Sequence, residues 1–493
     1  MAVIVRDVHE ENRDDTASST SLHSVLCVDL DGTLLRTDLL WECIISLLKE
    51  KPAALFGMPL WILQGRARFK QKLAELARVD VATLPYNRDL VEFLTAERQK
   101  GRRVVLATAA DGALAQNVAN HLGLFDEVFH SSEGQNLKGK TKAALLQSKF
   151  AETGFDYAGN STDDLPVWKA ARAGYVVGDE KLVRGASSVV RVERVFERPT
   201  ATYMTWLRAL RGHHWAKNTL LFLPLLLAHK LRLVPLLLTT AGFLLFSFCA
   251  SSLYILNDLL DLHSDRAHPW KGKRPFASGE TSISMGLLVS SLLIVVTIMA
   301  GFSLSIAFGR VLAVYSAATL WYSLQLKRLV LIDVFVLSSF YSLRIWAGSL
   351  LTSTPLSDWF LGFSLFFFLA LAMAKRYSEL AHAGLLVQTG NSGRAYNEED
   401  RALLMQLGVG SSYSAVVIFA LYIHSKEVLS LYPKPEYLFL ICPAILYWLS
   451  RLWLKANRGE LHEDPVTLSI RDPVSYAVAA LVILVMLISS RVG

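Results

Sequence analysis

Cysteine is scarce in this chain: Cys27, Cys43, Cys249 and Cys442 are the only four, scattered and without a CxxC pair. That spacing excludes a disulfide framework and a thiolate zinc site, and it fits a reducing compartment for the N-terminal half. Charge is scarce too. Only 19% of the residues are charged and 52% are hydrophobic, a composition too apolar for one ordinary soluble domain. The formal net charge of +7 is modest, and no nucleic-acid partner is expected. The opening stretch "MAVIVRDVHEENRDDTASST" lacks the apolar core of a cleavable signal peptide, so residues 1–22 read as a disordered leader.

What the chain has in quantity is apolar runs, and they begin only after about residue 215, as in "LLFLPLLLA" and "LGFSLFFFLALAMA". A helix of roughly 20 apolar residues spans a bilayer. Nine such spans are expected, near 217–230, 235–256, 283–302, 304–323, 330–351, 359–374, 407–425, 436–454 and 473–490. Loops on one side carry Arg266, Lys271, Lys273, Arg274, Lys327, Arg328, Lys375, Arg376, Lys455 and Arg458. The other side holds little more than Lys230, Arg232, Lys426 and Lys434. By the positive-inside rule the first side is cytosolic, which makes this a multi-pass cell-membrane protein with its N-terminal half in the cytoplasm.

The N-terminal half follows another pattern. Short β-branched runs, "SVLCVDL", "RRVVLATA", "FDYAG" and "AGYVVG", alternate with helix-like stretches. That alternation predicts a Rossmann-like α/β domain with a parallel sheet over 23–189, and a linker over 190–214 leading to an all-α membrane domain over 215–493. Ligands in such sheets bind where strands end. At the first strand end, "CVDLDGTLL" sets Asp29 and Asp31 two residues apart before Gly32. Two carboxylates at that spacing can divide a phosphoryl transfer, one as nucleophile and one as acid/base. The same letters are also good turn chemistry.

The further motifs in order make this half resemble the haloacid dehalogenase (HAD) phosphohydrolase superfamily over about 24–180, with residues 40–90 as a small helical cap. The resemblance implies Asp29 as nucleophile, Asp31 as acid/base and Thr108 on the phosphate. It implies Lys142 as the neutralising lysine, with Lys138 and Lys140 as rivals. It also implies Mg²⁺ held by Asp29, Asp31 and the acidic motif "AGNSTDDLP", which contains Asp163 and Asp164. Asn160 stands where many relatives carry that motif's first Asp. Its amide oxygen can ligate Mg²⁺ but brings no charge.

In the membrane half, "YILNDLLDLHSDRAHPWKGKRP" puts Asn257, Asp258, Asp261 and Asp265 ahead of Arg266, Lys271, Lys273 and Arg274. On a helix Asn257, Asp261 and Asp265 share one face. Such a face wants a hard cation such as Mg²⁺, and the basic residues that follow suit phosphate. NDxxDxxxD at the end of the second span resembles the signature of the UbiA superfamily of intramembrane prenyltransferases. "HHWAKN", "YSLQLKRLVLIDVF", "YSLRIWAG" and "AKRYSEL" make it most similar to the decaprenyl-phosphate phosphoribosyltransferase branch, over about 205–490. That likeness implies transfer of 5-phosphoribose from phosphoribosyl pyrophosphate to a polyprenyl phosphate, with Asp258 and Asp261 holding Mg²⁺ and Asn257 and Asp265 in support. Lys217, Asn218, Arg266, Lys271, Lys273, Arg274, Tyr322, Lys327, Arg328, Arg344 and Lys375 are the candidate substrate contacts. An arginine inside a span, as Arg344 is, needs an acidic partner or a phosphate. Lys375, Arg376 and Glu379 are expected to form a cytosolic rim.

A second aspartate cluster is lacking: the corresponding turn reads "YSLQLKR", with no aspartate before Asp333. That favours phosphoribosyl transfer over prenyl transfer to an aromatic acceptor, the competing reading, in which the HAD-like domain is regulatory or inactive. Under the first reading that domain dephosphorylates the lipid-linked product.

Overall fold

A computed structural model of the chain describes residues 24–131, 136–229, 231–383, 396–461, 465–469 and 472–490. The expected leader and Lys230 lie outside them. The chain forms two compact units: the residues up to Thr205 with Asp265–Met285, and Trp206–Ser264 with the residues from Gly286 onward.

In the first unit, β1 (Val25–Val28), β2 (Val104–Asp111), β3 (Glu127–Ser131), β4 (Phe155–Gly159), β5 (Ala173–Val177) and β6 (Arg191–Phe196) form one sheet in the order β3-β2-β1-β4-β5-β6. Every pairing is parallel, with Cys27 opposite Val105 on one side and Tyr157 on the other. Strand β1, VLCV, is buried throughout. A continuous apolar run of this kind suits a strand covered on both faces by helices. The chain leaves β1 toward β2 and β3, then returns to the opposite side at β4. The switch in direction therefore lies between the carboxyl ends of β1 and β4, where such sheets bind ligands. Asp29 follows β1 and Asn160 follows β4, and the Asp29 amide donates to the Ala158 carbonyl at 2.9 Å.

Between β1 and β2 come the helices Leu39–Glu50, Met58–Leu63, Arg66–Leu76 and Arg88–Gln99. Asp38 caps the first by accepting from the Leu40 amide. Its apolar residues Leu39, Cys43 and Leu47 join Leu73 and the sheet residues Leu26 and Leu106 in one core. The surprise in this unit is Asp265–Met285, which lies between two membrane-type helices in sequence. Here the Arg266 guanidinium grips the Glu42 carboxylate as a fork, at 2.6 and 3.1 Å, with both side chains only 7% exposed. Arg266 Nε also donates to the Ala277 carbonyl at 3.2 Å.

The second unit is helical. Among the described residues seven helices are long and apolar enough to cross a membrane: Leu233–Leu260, Ile283–Leu304, Ile332–Thr352, Asp358–Ala381, Asp400–Ile423, Pro435–Asn457 and Pro473–Ser490. The helix Ile306–Leu324 lies where a further span is expected. The stretch expected as the first span is not one helix but a 3-10 segment, Gly212–Phe222, followed by the short helix Leu223–Leu227. Pro224, which cannot donate to a preceding turn, sits at that junction.

Within this unit Asp333 and Arg376 form a buried ion pair at 2.7 Å, and the Tyr396 hydroxyl also donates to Asp333. Arg376, expected on a cytosolic rim, is buried and paired with Asp333. Gly348 marks a close approach of two segments, because a Cβ there would lie 2.0 Å from the Leu221 carbonyl oxygen. Alanine normally stabilises a helix by about 1 kcal/mol relative to glycine. Overpacking a tight contact costs about 1–3 kcal/mol, so the sign reverses here. Gly348→Ala should lower the unfolding temperature in detergent. Gly410→Ala, on the helix Asp400–Ile423 with nothing within 4 Å of its Cβ position, should leave it unchanged or raise it.

Candidate functional site

At the β1/β4 switch point, Lys142 Nζ donates to Asp29 Oδ1 at 2.7 Å and to the Tyr157 hydroxyl at 2.9 Å. The Tyr157 hydroxyl in turn donates to Asp164 Oδ1 at 2.8 Å. The other oxygen of Asp164 accepts from the amides of Asn160 and Ser161, both at 3.1 Å, and from the Ser161 hydroxyl at 3.2 Å. Asp164 therefore ties down the loop after β4 and continues the line Asp29–Lys142–Tyr157. Lys142 is the lysine brought to Asp29. Lys138 pairs with Asp163 on the surface at 2.8 Å, and Lys140 is exposed.

The electrostatics separate the two carboxylates of the DxD pair. Burial pushes Asp29 upward, and the Lys142 ammonium opposes this. Burial works against the Lys142 charge, but the Asp29 and Asp164 carboxylates outweigh it and hold Lys142 above its ordinary range. Burial pushes Asp31 up to about 8, with the Asp38 charge adding to the effect and a hydrogen bond from the Leu39 amide working against it. At neutral pH Asp31 therefore carries a proton and Asp29 faces an ammonium, an arrangement able to pair a nucleophile with an acid. Thr108 is buried in β2, and its hydroxyl accepts from the Ala110 amide at 3.0 Å.

Asn160 closes the site. The inward atom of its amide lies 3.1 Å from Thr33 Oγ1 and 3.2 Å from the Asp31 carbonyl oxygen, while its outward atom lies 3.3 Å from Arg198 Nη1. Neither Tyr157 nor Arg198 was visible as a site residue in the sequence. Tyr157 reads as an apolar strand residue in "FDYAG", and Arg198 follows β6 in a stretch that carries no motif.

In the helical unit Asn257 and Asp258 end the helix Leu233–Leu260, and Asp261 caps it. Asp258 is buried and ion-pairs with Arg211. Asp261 receives Lys327 Nζ on both oxygens, at 2.8 and 2.9 Å, and accepts from Asn257 Nδ2 at 3.2 Å. Arg211 also packs over the Tyr254 ring, with 5.5 Å from Cζ to the centroid. It stands at positive φ at the N-terminus of the 3-10 segment Gly212–Phe222. Its nearness to "HHWAKN" was the signal that could have found it.

Deeper in the same unit, Arg344 Nε donates to Asn218 Oδ1 at 2.7 Å, Nη1 to the Phe340 carbonyl at 2.6 Å and Nη2 to the Tyr315 hydroxyl at 3.0 Å. These partners are neutral, so no acidic partner meets Arg344 among the described residues. Lys217 lies over the Tyr341 ring at 5.7 Å. Tyr322 packs edge-on against Phe340, Arg328 is exposed and Lys375 half-buried. The remaining predicted residues, Asp265, Arg266, Lys271, Lys273 and Arg274, belong to the first unit, where Arg274 Nη1 donates to Asp265 at 2.5 Å. The acid-then-base stretch is thus shared out between the two units. Among the described residues no three His, Cys, Asp or Glu side chains converge as a metal cage.

Comparison with known proteins adds to this picture. An uncharacterized protein of Sinorhizobium fredii is 37% identical over 466 residues, 93% of this chain and 89% of that protein. Nodulation protein NoeC of Azorhizobium caulinodans is 34% identical over 274 residues, 55% of this chain and 88% of that one. A decaprenyl-phosphate phosphoribosyltransferase of Mycolicibacterium smegmatis is 32% identical over 228 residues, 45% of this chain and 70% of that enzyme. Residues 26–169 match the haloacid dehalogenase-like hydrolase family. Residues 219–471 match the UbiA prenyltransferase family, and with its apolar helices the chain is a multi-pass membrane member of that family, bearing an N-terminal HAD-like domain.

Proposed function

We propose that the helical unit transfers 5-phosphoribosyl from phosphoribosyl pyrophosphate to a polyprenyl phosphate. An oxygen of the lipid phosphate forms the bond to ribose C1, the C1–O bond to pyrophosphate breaks, and pyrophosphate leaves with the electron pair. The observation that carries this reading is the carboxylate pair at one helix end, each member held by its own cation, Asp258 by Arg211 and Asp261 by Lys327. Amide and carboxylate oxygens are the donors that Mg²⁺ favours, so Asn257, Asp258 and Asp261 fit it by chemistry. When bound, that ion would stabilise charge on the leaving pyrophosphate. Arg211 and Lys327, already at these carboxylates, are then available to the donor's phosphate oxygens, and Arg344, buried with neutral partners, supplies further positive charge for an anionic group. Relatives named for phosphoribosyl transfer, and a lysine rather than an aspartate in "YSLQLKR", favour ribose over a prenyl chain as the electrophile.

The HAD-like unit, in this reading cytoplasmic, removes the 5-phosphate from the lipid product. Asp29 attacks phosphorus as the bond to the ribose 5-oxygen breaks, Asp31 protonates that leaving oxygen, water then hydrolyses the phosphoaspartate and frees phosphate, and Thr108 and Lys142 hold the phosphate. Covalent linkage of the two units raises the concentration of one product at the next site. Purified protein given labelled phosphoribosyl pyrophosphate and polyprenyl phosphate should yield a labelled lipid. Product formed solely from a prenyl diphosphate and an aromatic acceptor would instead establish prenyl transfer.

A further inference from the structure

The amide of Asn160 has two orientations with opposite consequences. With its oxygen inward, Asn160 Oδ1 accepts from the Thr33 hydroxyl at 3.1 Å but also faces a second oxygen, the Asp31 carbonyl, at 3.2 Å. That contact is repulsive unless a cation joins them, and it nearly matches the edge of an octahedron with metal–oxygen bonds of about 2.1 Å, roughly 3.0 Å. Asp29, at the end of the neighbouring strand, adds a carboxylate, so this donor set fits Mg²⁺ by chemistry. With its nitrogen inward, the amide instead donates to the Asp31 carbonyl and to Thr33 Oγ1, and its outward oxygen accepts from Arg198 Nη1 at 3.3 Å.

Arg198 decides between them. A guanidinium has donors and no acceptor. It therefore rewards an outward amide oxygen and opposes the outward NH₂ group that metal binding requires. Its charge, half-buried and without an ion-pair partner among the described residues, also repels a divalent cation nearby through a medium less polar than water. We propose that Arg198 is a built-in competitor of the divalent cation in the HAD-like unit, acting through the orientation of Asn160. The inference rests on the metal-dependent reading of that unit. Displacing the segment after β6, which carries Arg198, would raise the affinity of the site for metal, so the position of this segment can set whether the phosphatase is armed.

The test is Mn²⁺ binding to the full-length protein in detergent, followed by the paramagnetic resonance of free Mn²⁺. The site is assigned as the binding lost in Asp29→Asn. Arg198→Ala and Arg198→Gln should tighten that site tenfold or more, and Arg198→Lys, which keeps the charge, should stay within about threefold of the parent. Binding that does not depend on Asp29 should be unchanged, which reports intact folding. Unchanged or weaker Asp29-dependent affinity in both uncharged variants overturns the proposal, as does the absence of any Asp29-dependent Mn²⁺ in them. Tightened binding without phosphatase activity would support the competition and count against the proposed dephosphorylation alone.

Discussion

Asp258→Asn and Asp261→Asn should each lower the proposed phosphoribosyl transfer by on the order of 10³-fold, measured as labelled lipid formed by purified protein. Losing one carboxylate from a site that neutralises a leaving pyrophosphate removes several kcal/mol of transition-state stabilisation. Each 1.36 kcal/mol is a factor of ten, so about 4 kcal/mol gives that loss. The amide is the right substitution because it keeps the shape that packs against Arg211. Asp258→Ala would leave a cation without its buried partner, a change that costs about 3–5 kcal/mol of stability and confuses folding with chemistry. Retained binding of polyprenyl phosphate by the Asn variants, with turnover lost, separates catalysis from lipid recognition. Full transfer activity in both would sink the assignment of this helix end as the reacting centre.

Asp29→Asn should stop the proposed dephosphorylation of the lipid product, by at least about 10³-fold, and leave transfer intact. Removing a nucleophile commonly abolishes the covalent route and leaves only residual catalysis. The variant should fold, because Lys142 retains the Tyr157 hydroxyl and gains an amide oxygen of the same shape. Asp31 supplies a pH signature. Its carboxyl sits at about 8 and acts as the acid in protonated form, so phosphatase turnover should fall as pH rises through 8. Asp31→Asn removes both that limb and most of the rate. Phosphate release from product by Asp29→Asn at the parent rate would place the activity elsewhere.

Much of the α/β unit was legible because it depends on local signals. Strands β1, β2, β4 and β5 are short apolar runs that end in polar residues, and DxDGT and the acidic loop fall where a parallel sheet exposes its ligands. The apolar spans were legible for a similar reason, since membrane helices announce themselves by length. What escaped were partners joined across long stretches of chain. Arg266 meets Glu42 across 224 residues, Arg344 meets Asn218 across 126, and Arg376 meets Asp333 in a buried pair. An isolated arginine in sequence has no direction. Arg376 reads as a loop cation and Arg344 as a residue in search of an acid, until packing shows one with a carboxylate and the other with neutral groups. Arg211 and Arg198 were missed for the same reason: each matters only through the side chain it faces.

The grip of Arg266 on Glu42 bears on how this protein can be taken apart. The HAD-like unit is closed by a piece of chain encoded some sixty residues beyond its apparent end, between two apolar helices. A gene fragment stopping at Thr205 would encode the sheet and the helices over it, yet leave the sheltered Glu42 carboxylate with the Thr37 hydroxyl in place of a guanidinium. The boundary drawn by homology is a boundary in sequence alone. The HAD-like unit takes in Asp265–Met285 from beyond the first long apolar helix, and dissection would have to carry that stretch along.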